Sequence, residues 1–174
     1  MLTPHRVYII GFMGSGKSTA GKKLASLLGW SFIDLDRKIE EITGKTIPEI
    51  FAVQGEEYFR EVESGTLKFF DSQVDTVISA GGGSPCFSDN MDFMLRTGLT
   101  IYLKLTPEQL NSRLAKSSGK RPLIKGLSSK ELLDYIIENL SIRENWYNRA
   151  DIILEGMNAD INLLKSLVIE SLDI

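Results

Sequence analysis

The sequence predicts an α/β fold of three layers, in which a central parallel sheet of about five strands is flanked by helices. Three observations predict it. Short β-branched and aromatic runs alternate with longer helical patterns, which is how parallel strands are connected. A glycine-rich turn at residues 11–18 separates the first run from the first helical pattern. The 174 residues are 43% hydrophobic and 25% charged, ordinary values for a globular chain, so a single domain over 1–174 is expected.

Taken in order, strands are expected at 7–10, 31–35, 76–80, 100–105 and 151–154. The first helix, over 17–28, places Ala20, Leu24, Leu27 and Leu28 on one side and ends at Gly29. A second helix starts near Arg37, and another follows a break at Gln54-Gly55. Thr106-Pro107-Glu108-Gln109 reads as a cap, a proline at the first helical position and a capping box. Ser128 and Glu131 repeat that signature ahead of Leu132, Leu133, Ile136, Ile137 and Leu140, a pattern reaching towards Tyr147. The last helix begins at about Asn158, with Ile161, Leu164, Leu167 and Val168 as its buried stripe. Residues 116–129 are polar and long for a connection. With two serine pairs, two glycines and few large apolar side chains, they read as a mobile lid that no core contact anchors at rest.

Composition excludes several classes. A formal charge of -3 at pH 7 gives no general attraction for nucleic acid. The single cysteine, Cys86, cannot close an internal disulfide, and the single histidine, His5, cannot pair in a zinc site. The apolar run near the N-terminus is too short for a signal peptide and no stretch approaches a membrane span, so a soluble cytoplasmic protein is expected.

Gly11-Phe12-Met13-Gly14-Ser15-Gly16-Lys17-Ser18 satisfies G-x-x-x-x-G-K-[ST] between a strand and a helix. Its glycines allow backbone N–H groups to point inward at phosphate oxygens, and the helix dipole favours negative charge at the same place. Lys17 adds a charge for the β and γ phosphates, and the Ser18 hydroxyl can ligate Mg2+. A merely structural turn would need neither. A nucleoside triphosphate is therefore the expected ligand.

Other segments bear on where the phosphoryl group goes. Asp34 and Asp36 alternate at the end of the second strand and so share a side, where one could hold Mg2+ through water and the other accept a hydroxyl proton. The plainer reading is a pair of solvated acids capping the next helix. Glu56, Arg60 and Glu63 share one helical face; with Phe51 and Phe59 nearby, Arg60 could bind a small carboxylate through its two-donor fork, or be a surface ion pair. Gly81, Gly82 and Gly83, after the third strand, let backbone approach a ligand where an ordinary turn needs one glycine. Arg121 stands on the lid, where closure could bring it over the phosphates, with Arg113 before the lid and Arg143 after it.

In order and spacing, GFMGSGKST (11–19), FIDLD (32–36), IPEIFAVQGEEYFREVE (47–63), GGG (81–83) and RPLI (121–124) resemble the shikimate kinases, a branch of the P-loop kinase fold. The resemblance runs from about residue 7 to 153. It implies transfer of the ATP γ-phosphoryl group to the 3-hydroxyl of shikimate, with Mg2+, by a monomer on the route to chorismate. It implies that Asp36 binds the substrate hydroxyls and acts as base, with Asp34 tied to the metal through water. It further implies that Arg60 and Arg143 hold the substrate carboxylate within a substrate-binding segment at about 36–63, and that Gly81, Gly82 and Gly83 lie against substrate beside Glu63. By the same resemblance Gly14, Ser15, Gly16, Lys17, Ser18 and Thr19 bind the nucleotide, Arg113 stacks on adenine, and Arg121 reaches phosphates and substrate. Another small-metabolite kinase of the same branch, such as a gluconate kinase, is the alternative enzyme. A GTP-hydrolysing switch would need an N-K-x-D element, which the sequence lacks.

Overall fold

The computed structural model describes residues 5–116, 124–156 and 160–174. Its five strands are β1 (Arg6–Ile10), β2 (Ser31–Asp34), β3 (Thr76–Ser79), β4 (Leu99–Lys104) and β5 (Ile152–Glu155). They form one parallel sheet in the order β2-β3-β1-β4-β5. The helices are α1 (Lys17–Leu28), α2 (Leu35–Thr43), α3 (Ile47–Phe69), α4 (Asn90–Thr97), α5 (Pro107–Ala115), α6 (Ser129–Tyr147) and α7 (Ile161–Leu172).

Both faces of the sheet are covered because side chains alternate along each strand. On β1, Val7 and Ile9 join Leu24 of α1 and Leu164 and Val168 of α7 in one core, while Tyr8 and Ile10 face α2 to α6 in the other. The central strand β1 is wholly buried, so its carboxyl end opens into the middle of the molecule rather than at an edge. Ligands of open α/β sheets bind at that end.

The expected capping boxes are present at Thr106/Gln109 and Ser128/Glu131, and Thr46/Glu49 supplies a third. The expected break at Gly55 is a residue with φ 81° and ψ 174° inside α3. Four expectations need correction. Leu27 is exposed, since Gly21 packs against the Phe32 ring and turns the buried arc of α1 towards Ala20, Gly21, Leu24 and Ala25. Leu167 is only half-buried beside Leu164 and Val168, and α7 begins at Ile161 after the cap Asp160. Asp36 does not belong to β2, which ends at Asp34; it lies in the first turn of α2. The fourth concerns the loop expected at 116–129. Ile124 is completely buried in the main core and Ser128 caps α6, so its far end is anchored after all. Residues 117–123, with Arg121 among them, lie outside the described residues.

Candidate active site

The glycine-rich loop leaves β1 at the centre of the sheet. Gly14 (φ 81°) and Gly16 (φ 96°) take left-handed conformations that L side chains disfavour, and a Cβ on Gly14 would stand 2.8 Å from the Leu114 side chain. Helix α1 has no side-chain cap, whereas α2, α3, α5, α6 and α7 are each capped by an aspartate, threonine or serine. No capping side chain therefore covers the positive end of this helix, an arrangement that suits an anion. The Ser15 hydroxyl is buried there with no hydrogen-bond partner among the described residues. Lys17 Nζ donates to the Gly11 and Phe12 carbonyls at 2.9 and 3.0 Å, which curls its ammonium over the loop. Arg113, on α5, donates to the carbonyls of Gly14 (3.3 Å) and Ser15 (3.0 Å) and lies across the same loop.

Asp34 does two things at once. Its Oδ1 accepts from the Arg37 N–H and caps α2, and its Oδ2 accepts from Ser18 Oγ at 2.6 Å. The capping role expected from the sequence is thus present, and it leaves the other carboxylate oxygen beside the phosphate loop. Ser18 Oγ is also 3.4 Å from Ser79 Oγ. This all-oxygen set suits Mg2+, which takes one or two protein oxygens and completes its shell with water and phosphate.

A cavity of about 380 Å3 joins Gly14, Gly16, Lys17, Ser18, Thr19 and Arg113 to Asp34, Asp36, Ser79 and Gly82. Asp36 enters it from α2 although it is not on the strand. Burial pushes its carboxyl above the ordinary range, Lys17 opposes that shift, and Asp34 and Glu40 reinforce it. Such a carboxylate is a better proton acceptor than a solvated one.

Beyond Asp36 the three glycines form a floor. A Cβ on Gly81 would stand 2.7 Å from Asp36 Oδ1 and 2.8 Å from Glu63 Oε1, and one on Gly83 would stand 2.9 Å from both terminal nitrogens of Arg60. None of the three has positive φ, so glycine is needed here for the absent side chain and not for the backbone angle. Arg60 Nη1 donates to Glu63 Oε2 at 2.8 Å, and its Nε and Nη2 donate to Glu56 Oε1 at 3.2 and 3.0 Å. Glu63 is 1% exposed, and burial raises its carboxyl pKa against the pull of Arg60. Arg143, from α6, lies over the Phe12 ring at 5.1 Å with Gly82 below it. Among the described residues it has no carboxylate partner.

The structure thus brings together every site residue named from the sequence except Arg121, which is not described. Four contributors were missed. Phe12 occupies a position of the loop motif open to any residue, Ser79 ends β3, and Phe87 lies under Arg60 with 3.8 Å between guanidinium carbon and ring centre. Tyr147 donates its hydroxyl to the Gly82 carbonyl. Only Tyr147 carried a signal, since it follows Arg143 by four residues and so shares its helical face.

The family model for shikimate kinase matches residues 13–170. A shikimate kinase of Parabacteroides distasonis is 47% identical over 151 residues, 87% of each chain. Another, from Bacteroides thetaiotaomicron, is 44% identical over 155 residues, 89% of this chain and 87% of that one. Among solved structures, a Bacteroides thetaiotaomicron shikimate kinase superposes with a TM-score of 0.90 at 40% identity, over 98% of this chain and 99% of the other. A shikimate kinase from Acinetobacter baumannii in complex with shikimate gives 0.83 at 32% identity, over 98% and 93%. The family model spans most of the sequence and these relatives match nearly all of it, so the chain belongs to the shikimate kinase family.

Proposed function

We propose that this chain transfers the γ-phosphoryl group of ATP to the 3-hydroxyl of shikimate, giving shikimate 3-phosphate and ADP. The observation that supports this reading most is the continuity of one cavity from the Lys17 and Ser18 loop to Asp36, with Arg60 and Arg143 gathered on the three-glycine floor beyond it. Loop N–H groups from 14 to 19 hold the phosphates, and Lys17 moves its ammonium from the loop carbonyls to the charge that develops on the transferring group. Ser18 directly, and Asp34 through water, would hold Mg2+, which would neutralise phosphate charge. Asp36 accepts the proton of the attacking hydroxyl, while Arg60 and Arg143 fix the substrate carboxylate so that the hydroxyl faces the phosphate. Arg113 lies on the adenine side. Arg121 meets the phosphoryl group from the lid at about 116–129, a role that rests on the family resemblance. The enzyme works as a cytoplasmic monomer, on a small molecule rather than a nucleic acid or membrane.

Coupled ADP release measured with and without shikimate, and phosphorus NMR of the product, test the proposal. Shikimate should raise ADP release by orders of magnitude and give one new phosphomonoester. ADP release indifferent to shikimate, or faster with gluconate, would exclude it.

A further inference from the structure

We propose that Phe87 is a positioning residue for carboxylate recognition, which it serves by holding the guanidinium plane of Arg60; this rests on the function proposed above. A guanidinium reads a carboxylate only if its plane is fixed, because the two parallel N–H bonds fail when the fork rotates. The edges of Arg60 are set by Glu63 and Glu56, which together use three of its five N–H groups. One donor on each terminal nitrogen is left for substrate. Those in-plane contacts leave both faces of the guanidinium uncovered.

The face is fixed by the segment that follows the three glycines. A 3-10 turn at Ser84–Cys86 brings residues 83 and 87 around the same group: Gly83 lets both terminal nitrogens approach, and the Phe87 ring covers the guanidinium at 3.8 Å. Phe59 is farther, at 5.0 Å. The turn is bound to the helix that carries Arg60. Ser64 Oγ donates to Asn90 Oδ1 at 2.8 Å, and Asn90 Nδ2 donates to the Ser84 carbonyl at 2.9 Å, with all three residues buried. These two buried bonds restrain the turn against α3. The ring and the arginine are thus held on one frame, and the ring also keeps water from one side of the cation, which strengthens its remaining bonds.

Phe87→Leu keeps apolar bulk and removes the aromatic face. It should raise the KM for shikimate on the order of tenfold, within the range of a partly desolvated cation–π contact, while kcat and the KM for ATP change by less than about twofold. Phe87→Tyr should restore the wild-type KM. Should Phe87→Leu fail to fold, replacement of Phe87 by pentafluorophenylalanine keeps the shape, reverses the charge of the ring face and should raise the same KM alone. An unchanged shikimate KM in the fluorinated or the leucine enzyme would overturn the proposal, as would parallel loss of kcat and ATP binding in either. A wild-type enzyme without shikimate-dependent turnover would instead defeat the proposed function, so the two failures are told apart.

Discussion

The two ends of the cavity are built on different plans. The end at residues 11–18 comes from consecutive residues of one loop that leads into α1, which no side chain caps, and in the function proposed above its backbone N–H groups hold the phosphates. The other end, proposed above to take the acceptor, is assembled from four separated segments, at Asp36, Arg60 to Glu63, Gly81 to Gly83 and Arg143, with Arg60 and Glu63 paired directly. Phosphate groups are the same in every nucleotide, so a fixed backbone cradle suffices. A particular hydroxy acid must be distinguished by the relative placement of a proton acceptor and its carboxylate anchors, and only groups from several elements can surround it.

This contrast predicts how mutations separate. Lys17→Ala should lower kcat about a thousandfold or more, because its charge acts on the transferring group, while circular dichroism stays native. Turnover within a few fold of wild type would break the distinction at its phosphate end. Asp36→Asn should lower kcat about a hundredfold or more by removing the proton acceptor. It should also raise Tm at neutral pH. A carboxyl whose pKa is raised on folding contributes stability only while protonated and loses it as pH rises through the folded value, so a neutral amide escapes that cost. A lower Tm for this variant would mean that attraction to Lys17 outweighs burial.

Arg60→Lys should raise the shikimate KM about tenfold or more with little change in the KM for ATP, since an ammonium keeps the charge but not the fork. Equal weakening of both substrates would show that the Glu56, Arg60 and Glu63 cluster supports the whole fold instead. The smallest effect is on pH. The base must be ionised to act, so the acid limb of kcat/KM should fall off at a pH above the ordinary aspartate range, and Asp36→Asn should remove that limb from its residual activity. A limb at the ordinary aspartate value would place the base elsewhere.

How much could be read in advance follows the same division. Lys17, Ser18 and the glycines are neighbours in the chain, and the capping boxes at Thr106 and Ser128 span three residues each, so local spacing discloses them. The pairing of Asp36 with Glu63 across Gly81, and of Arg60 with Phe87, joins residues whose distance depends on how the elements pack. For Asp34 and Asp36 the reasoning from strand alternation was wrong and the conclusion right, because the first turn of α2 directs Asp36 to the cavity that the strand end directs Asp34 to.

What the chain determined by itself is what local geometry controls: five strands separated by helices, a phosphate loop whose left-handed residues are glycines, and the breaks and caps that delimit each helix. The tertiary structure alone decided the order β2-β3-β1-β4-β5, which sets the loop at the buried centre of the sheet. It also decided that Ile124 reaches the core, that Leu27 does not, and that Arg143 stands beside Gly82. The reason is physical. Backbone angles and capping bonds are settled within a few residues, whereas burial, the raised carboxyl of Asp36 and the stacking on Arg60 exist only after distant elements have excluded water from between them.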